Sequence, residues 1–340
     1  MTMQENAEGL LVGVDVGGTK IAAGVVDARG QVLSRAQIPT DTGSTEKTLQ
    51  SIAAGIVEAI RAAGIEREQI RGIGLGIPGE VDPESGVGLF AANLYWKNVP
   101  VKRWLEDVLG IPCAIENDVS VAALGEHLYG AGRSVGTEGD SKADTMVYLS
   151  LGTGVAAKAI VGGRLHRGSH GLAGEIGHTV FVPDGPLCAC GTRGCLEALA
   201  AGPALAKRAR EALQAGHVSL LQEHDQATLT AHHLFSAIAQ GDSLSRQIVA
   251  GAAKHLAYAV YLLAMTFDPQ MIVLGGGLAH EENPLIEGIR AGVAQWVERS
   301  AIFREFWRAD MLRLTALKRD VGILGAAALL ADGKTIEKVS

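Results

Sequence analysis

The chain has 340 residues, of which 47% are hydrophobic and 20% charged, and carries a formal net charge of −7. That length can bury two cores, and the composition is globular rather than fibrous or disordered. The acidic balance excludes a basic groove for a nucleic-acid backbone, and neither a basic-then-apolar leader nor an apolar run of about 18 residues is readable, so the expectation is a soluble cytoplasmic protein without membrane contact.

In chain order, Leu10–Asp15 and Ile21–Val26 read as strands broken by Gly17-Gly18-Thr19-Lys20, with a further strand over Gln31–Ile38 after the turn Asp27-Ala28-Arg29-Gly30. Apolar residues Ile52, Ile56, Val57 and Ile60 predict a helix over Leu49–Ala63. Ile70–Gly76 is a strand into the loop Ile77-Pro78-Gly79, and Ile111–Ile115 is a strand that delivers Glu116-Asn117-Asp118 to a helix over Val119–Tyr129. The polar, glycine-rich stretch Gly130–Asp144 reads as a crossing between lobes. Thr145–Leu151, Gly152-Thr153-Gly154 and Val155–Val161 then repeat the opening plan of strand, glycine turn and strand. Ala204–Phe267 is mostly helical, Met271–Leu274 is a buried strand ending in Gly275-Gly276-Gly277, and Val321–Leu330 is a closing helix.

Several of these turns carry chemistry. Asp15, followed by Gly17, Gly18, Thr19 and Lys20, offers dense backbone N–H donors for phosphate and a carboxylate for Mg²⁺; a plain hairpin turn explains the same residues. Gly152, Thr153 and Gly154 form its twin, as a nucleotide held between two lobes would need. Asp118, at a strand-to-helix junction, is either a general base that must come within roughly 2.6–3.2 Å of an attacking hydroxyl or the N-cap of the helix that follows. Gly275, Gly276 and Gly277 let a flat base or ribose lie against the backbone, or simply turn the chain. Asn93 suits sugar hydroxyls, while Trp96 packs either on a sugar face or on the protein.

Of four cysteines, Cys188, Cys190 and Cys195 fall in one short window, ten residues and more after His178, whereas Cys113 stands apart. One His and three Cys make a tetrahedral zinc set, and four protein ligands make that zinc structural rather than catalytic. Burial of the three thiols as small apolar side chains is the alternative.

These pieces, in this order, resemble the ROK family (repressor, open reading frame, kinase) from about Leu10 to Leu330. The most specific stretch is Gly168–Glu197, with its Glu-x-x-His and Cys-x-Cys-Gly-x-x-Gly-Cys-x-Glu. Within the family the chain is most similar to bacterial glucokinases. The resemblance implies an α/β, two-lobed actin-like (ribonuclease H-like) sugar kinase fold with an interlobe cleft. It divides the chain into a small N-terminal lobe of residues 1–130 with a returning helix in 320–340, and a larger lobe of residues 131–319 with the zinc site and adenosine region.

It further implies ATP with Mg²⁺ as donor, a structural Zn²⁺ on His178, Cys188, Cys190 and Cys195, and Asp118 as base. Asn93, Asn117, Asp118, Glu175, His178 and Glu197 would hold the sugar, with Gly76 and Gly79 beside it. Glucose is the first acceptor; N-acetylmannosamine, mannose and fructose are the alternatives, and polyphosphate is an alternative donor. A homodimer or homotetramer is expected. Family repressors carry an added DNA-binding domain, for which about nine residues before the first strand leave no room, so no nucleic-acid partner is expected. A non-catalytic sugar sensor is the remaining alternative, and Asp118 speaks against it. The run after Gly154 departs from the family's glycine-rich pattern: Lys158 stands there, bound either for a phosphate or for solvent.

Overall fold

The computed structural model describes residues 9–133 and 143–331. The elements are β1 (Leu10–Val16), β2 (Lys20–Val26), β3 (Ala36–Pro39), α1 (Thr45–Ala63), β4 (Ile70–Ile77), β5 (Glu80–Asp82), β6 (Val87–Ala91), β7 (Trp96–Val99), α2 (Val101–Leu109), β8 (Cys113–Asn117) and α3 (Asp118–Tyr129). They continue with β9 (Met146–Leu151), β10 (Val155–Val161), β11 (Arg164–His166), α4 (Leu196–Ala200), α5 (Gly202–Gln214), α6 (Ala231–Ala239) and α7 (Ser243–Phe267). The last are β12 (Met271–Gly275), α8 (Pro284–Arg299), α9 (Ala301–Phe306), β13 (Leu312–Leu314) and α10 (Val321–Ala331).

One five-stranded sheet has the order β3-β2-β1-β4-β8 and the other β11-β10-β9-β12-β13. Each is a run of three sequence-adjacent strands followed by two later ones, so the repeat read at the two glycine turns extends to whole sheets. The chain forms two compact units: Met1–Asp144 with Ile160–Ala173 and Ala316–Ser340, and Thr145–Ala159 with Gly174–Thr315. Most of the expected crossing, residues 134–142, lies outside the described residues.

In the first unit β1, β4 and β8 run parallel, and the register sets Asp15 opposite Gly76 and Gly76 opposite Glu116. Three motif residues thus share one row at the carboxyl ends of parallel strands, where open α/β sheets place their ligands. Helix α10 is apolar almost all round, which suits an element enclosed on several sides. It lies on the sheet backbone to backbone: a Cβ at Gly13 would overlap the Ile323 carbonyl oxygen, and one at Gly74 that of Ala326. The third strand is shorter than the sequence predicts. The Asp27 carboxylate accepts the Arg29 and Gln31 N–H groups, and Val32 makes a single bridge to Val26 before β3 begins at Ala36.

In the second unit β9 and β12 are parallel, so Gly275 pairs with Ser150 and the two glycine turns emerge side by side. By length and composition the 25-residue α7 is long and apolar enough to cross a membrane, although Arg246, Lys254 and His255 interrupt its apolar residues. Its apolar residues face inward, with Leu256, Val260 and Leu263 buried beneath α4, α5, α6 and α8. Small residues bring α8 close: Gly288 and Gly292 sit over Ala253 and Ala257. The apolarity of α7 is that of a core helix.

Candidate functional site

In the first unit the site grows from the end of β8. Asn117, not Asp118, caps α3: its Oδ1 accepts the N–H groups of Val119 (3.0 Å) and Ser120 (3.1 Å). Its side-chain amide donates to the Gly79 carbonyl (3.0 Å) and to Asp118 Oδ1 (3.1 Å). Asp118 is the first helical residue, and the same Oδ1 also accepts the Val119 N–H at 2.8 Å. The carboxylate is thus oriented by two donors at a positive helix end, a geometry suited to receiving a proton at a defined place.

Gly76 and Gly79 close in on this corner. A Cβ at Gly76 would lie 3.4 Å from the Asp118 Cα, and Gly79 has φ of +88° with its Cα turned against the Phe90 carbonyl. Asn93 is held out to solvent between buried Ala91 and Leu94 and approaches Gly18, where a Cβ would meet its side chain at 3.1 Å. Trp96 is 1% exposed and belongs to the core, so it faces no sugar.

The hairpin Gly17–Lys20 closes through the Gly17 N–H on the Lys20 carbonyl (2.9 Å), with the Thr40 hydroxyl on the Gly17 carbonyl (2.7 Å). Asp15, at the end of β1, abuts Gly322 in the first turn of α10. Burial pushes its carboxyl above the usual aspartate range, and the Lys20 charge opposes that rise. A feature absent from the sequence reading underlies the corner. Glu116 is 4% exposed; its Oε1 accepts the Asn117 N–H (2.9 Å) and its Oε2 accepts from Arg167 Nε (2.7 Å).

In the second unit Gly152–Gly154 and Gly276–Gly277 meet. The Leu278 N–H donates to the Leu151 carbonyl (2.9 Å), and the Gly202 N–H to that of Gly152 (2.9 Å). Gly152, Thr153 and Gly277 border a cavity of about 370 Å³ whose lining also includes Pro203, Arg210 and His232. Arg210 and His232 were not anticipated; they come from helices whose sequence carries no turn motif.

In the same unit the segment Gly174–His178 lies on β10. The Ala157 N–H donates to the Gly174 carbonyl (2.8 Å), and Cβ atoms at Gly174 and Gly177 would overlap the carbonyl oxygens of Ala157 and Val155. Residues 176–178 form one 3-10 turn rather than an α-helix. Glu197, in the first turn of α4, accepts the Val155 N–H at 3.1 Å beside Gly154. Lys158 meets neither expectation: it is 3% exposed and donates to Glu175 Oε1 at 3.1 Å.

The ligand atoms of His178, Cys188, Cys190 and Cys195 lie within 4.8 Å of one another. His178 Nδ1 is 3.7 Å from Cys188 Sγ, and Cys190 Sγ is 3.6 Å from Cys195 Sγ. A tetrahedron with Zn–S bonds of about 2.3 Å has edges of about 3.8 Å, so the donor set fits zinc. Gly191 at φ +89° and Gly194 at φ +76° let the chain reverse between the thiols. The Thr192 backbone N–H draws the Cys190 thiol down to about 6, whereas burial pushes Cys195 up to about 12 and raises Cys188. A bound cation offsets the cost of ionising the two raised thiols. Cys113 lies apart, buried, with its thiol pushed up to about 12 by desolvation.

Residues 11–333 match the family model described as the ROK family. The chain belongs to the ROK family. A glucokinase from Streptomyces coelicolor is 34% identical over 331 residues, covering 95% of this chain and 98% of that protein. An N-acetylmannosamine kinase from Escherichia fergusonii is 32% identical over 327 residues, covering 95% and 98%. Among solved structures, a ROK family glucokinase from Streptomyces griseus in complex with glucose and AMPPNP superposes with a TM-score of 0.78 at 34% identity, covering 94% of this chain and 99% of that one. The fold is therefore the two-lobed, actin-like α/β fold of the ROK kinases.

Proposed function

We propose that this ROK protein is an ATP-dependent hexose kinase whose acceptor is glucose and whose product is glucose 6-phosphate. The observation that carries it is the corner at Asp118, a carboxylate oriented by Asn117 and the first turn of α3, in a chain similar over 95% of its length to a glucokinase.

In this reading Asp118 takes the proton from the attacking hydroxyl as its oxygen bonds to the γ-phosphorus and the bond to ADP breaks. The residues that position the acceptor are Asn93, Asn117 and Asp118, with Gly76 and Gly79, and Glu175, His178 and Glu197. The N–H groups of Gly18, Thr19, Thr153 and Gly154, with Lys20, receive phosphate oxygens, while Gly17 and Gly152 spend their N–H groups closing the two turns and, as glycines, permit close backbone approach. The cavity bordered by Gly277, at the end of the Gly275–Gly277 turn, takes the adenosine, its volume of about 370 Å³ being within the range of small-ligand sites. Mg²⁺ supplies charge neutralisation on the phosphates, and Asp15 is the carboxylate that orients it. His178 through Nδ1, with Cys188, Cys190 and Cys195, would hold a zinc ion that would act through structure, and Nε2 of His178 would be left for a sugar hydroxyl. The same reading gives a cytoplasmic enzyme, where ATP is available, working as a homodimer or homotetramer.

The similarity to an N-acetylmannosamine kinase favours that amino sugar as a second acceptor. The test is formation of the sugar phosphate across a panel of glucose, mannose, fructose and N-acetylmannosamine, with ATP as donor (read by ADP) or polyphosphate as donor (read by the sugar phosphate itself). The highest kcat/KM is expected for ATP with glucose. ADP formation with none of the four sugars would overturn the reading.

A further inference from the structure

Strand β10 places a single lysine in a run of small residues, Ala156-Ala157-Lys158-Ala159. The Lys158 side chain is 4% exposed. An ammonium taken out of water is costly, and an apolar side chain of similar volume is commonly as stable or more so. A buried lysine here calls for an account beyond filling the core.

Its partner supplies one. The Lys158 ammonium donates to Glu175 Oε1 at 3.1 Å, while the Glu175 side chain is 37% exposed. Glu175 is the N-cap residue of the 3-10 turn leading to His178, yet its carboxylate makes no capping hydrogen bond. The backbone on either side is already pinned, with Gly174 laid on Ala157 and Gly177 on Val155. What the main chain leaves undetermined is where the carboxylate points, and the ammonium determines it.

We propose that Lys158 is a positioning residue that aims the Glu175 carboxylate at the acceptor sugar, and so sets how tightly the sugar is held. This rests on the assignment of Glu175 to the sugar site above. One carboxylate oxygen is taken by the ammonium, so the other meets a hydroxyl in a set direction. The nucleotide side should not notice, because Gly152–Gly154 and Gly275–Gly277 are reached through other contacts.

The experiment is a double-mutant cycle on the zinc-loaded protein with K158M, E175Q and K158M/E175Q, reading glucose affinity by titration calorimetry and the KM for glucose and for ATP by ADP formation. K158M and E175Q are each expected to weaken glucose about tenfold or more, with the KM for ATP within about twofold of wild type. The double variant should be no worse than E175Q alone within about twofold, because the lysine acts through the glutamate. Additive losses, an equal rise in both KM values, or loss of zinc from K158M would make Lys158 a structural residue and overturn the proposal. If K158M does not fold, K158R replaces it in the same cycle; the planar guanidinium keeps the charge and loses the geometry, and non-additivity is again required. A wild type that turns over the hexose panel while the cycle is additive removes Lys158 alone. A wild type that phosphorylates no hexose removes the hexose-kinase reading and this proposal with it.

Discussion

Two ion pairs in the molecule are mirror images. In the first unit the carboxylate is inside and the cation outside: the Glu116 side chain is 5% exposed and that of Arg167 is 35%. In the second unit the cation is inside and the carboxylate outside: Lys158 is 4% exposed and Glu175 is 37%. Both glutamates sit beside residues assigned to the sugar, but only one can serve it. Both oxygens of Glu116 are engaged, one by the Asn117 N–H and one by Arg167, so its work is to hold the strand end that carries Asn117 and Asp118. Glu175 keeps a face to solvent and its burden of burial falls on the lysine. In a buried pair, the partner that faces water is the one available to a ligand.

The largest effect should come from the residue that the Glu116 pair supports. D118N keeps the shape of the corner, because the amide oxygen can still accept the Val119 N–H, but cannot accept a proton. A fall in kcat on the order of a thousandfold is expected, with glucose still bound. Turnover within about tenfold of wild type corresponds to only about 1.4 kcal/mol of transition-state stabilisation, too little for an essential base.

Second, R167M strands a buried carboxylate, and the mirror arrangement predicts an asymmetry. Denaturant unfolding should show R167M destabilised by about 3 kcal/mol, and K158M by much less, because Glu175 can recover its hydration. Equal losses for the two variants would break the comparison.

A third test separates the two glutamates through the metal. Glu175 is three residues from His178, whereas Glu116 is in the other unit. C190S exchanges a thiolate for a poor zinc ligand. The purified variant should lack zinc by metal analysis and show a KM for glucose raised about tenfold, with the KM for ATP within about twofold. A zinc-free, folded variant with an unchanged KM for glucose would uncouple the knot from the sugar site.

The smallest effect concerns a pair with both partners partly in water. Arg35 bonds Asp320 at 2.7 Å, with side-chain exposures of 43% and 21%, and holds that carboxyl below its ordinary value. Its contribution is in place above the unfolded aspartate pKa of about 3.9 and is lost as pH falls through the lower folded-state value. Solvent screening keeps it under about 1 kcal/mol. The stability gap between wild type and R35M should therefore be small at pH 7 and vanish in the acid range; a gap that widens on acidification would contradict the sign.

Contiguous chemistry was legible before any coordinate. Cys188, Cys190 and Cys195 are bound to one another by a few residues of chain, and two glycines between them permit the reversal that a tetrahedral ion needs. Glu116-Asn117-Asp118 announced a strand-to-helix corner, because the strand periodicity stops and the helical one starts on those residues. The repeated glycine turns likewise foretold two sheets of one plan. Which residue of the corner caps α3 was not legible: Asn and Asp are both good caps, and the choice of Asn117 follows from the Gly79 carbonyl that holds its amide. Trp96 was also undecided, since its fate depends on β6 and α2 covering it.

What the sequence determined by itself is the set of local devices: turns, caps and the ligand knot, whose partners lie within a few residues and whose geometry follows from backbone sterics. What only the tertiary structure decided is which distant charges meet. Arg167 reaches Glu116 across 51 positions and Lys158 reaches Glu175 across 17. The first meeting depends on the path of the chain after β11 and the second on how Gly174–His178 lies along β10. An isolated lysine in an alanine run says only that its charge must be answered. The strand register and the glycine contacts that let two backbones touch decide which carboxylate answers it, and thereby which glutamate is left facing the solvent.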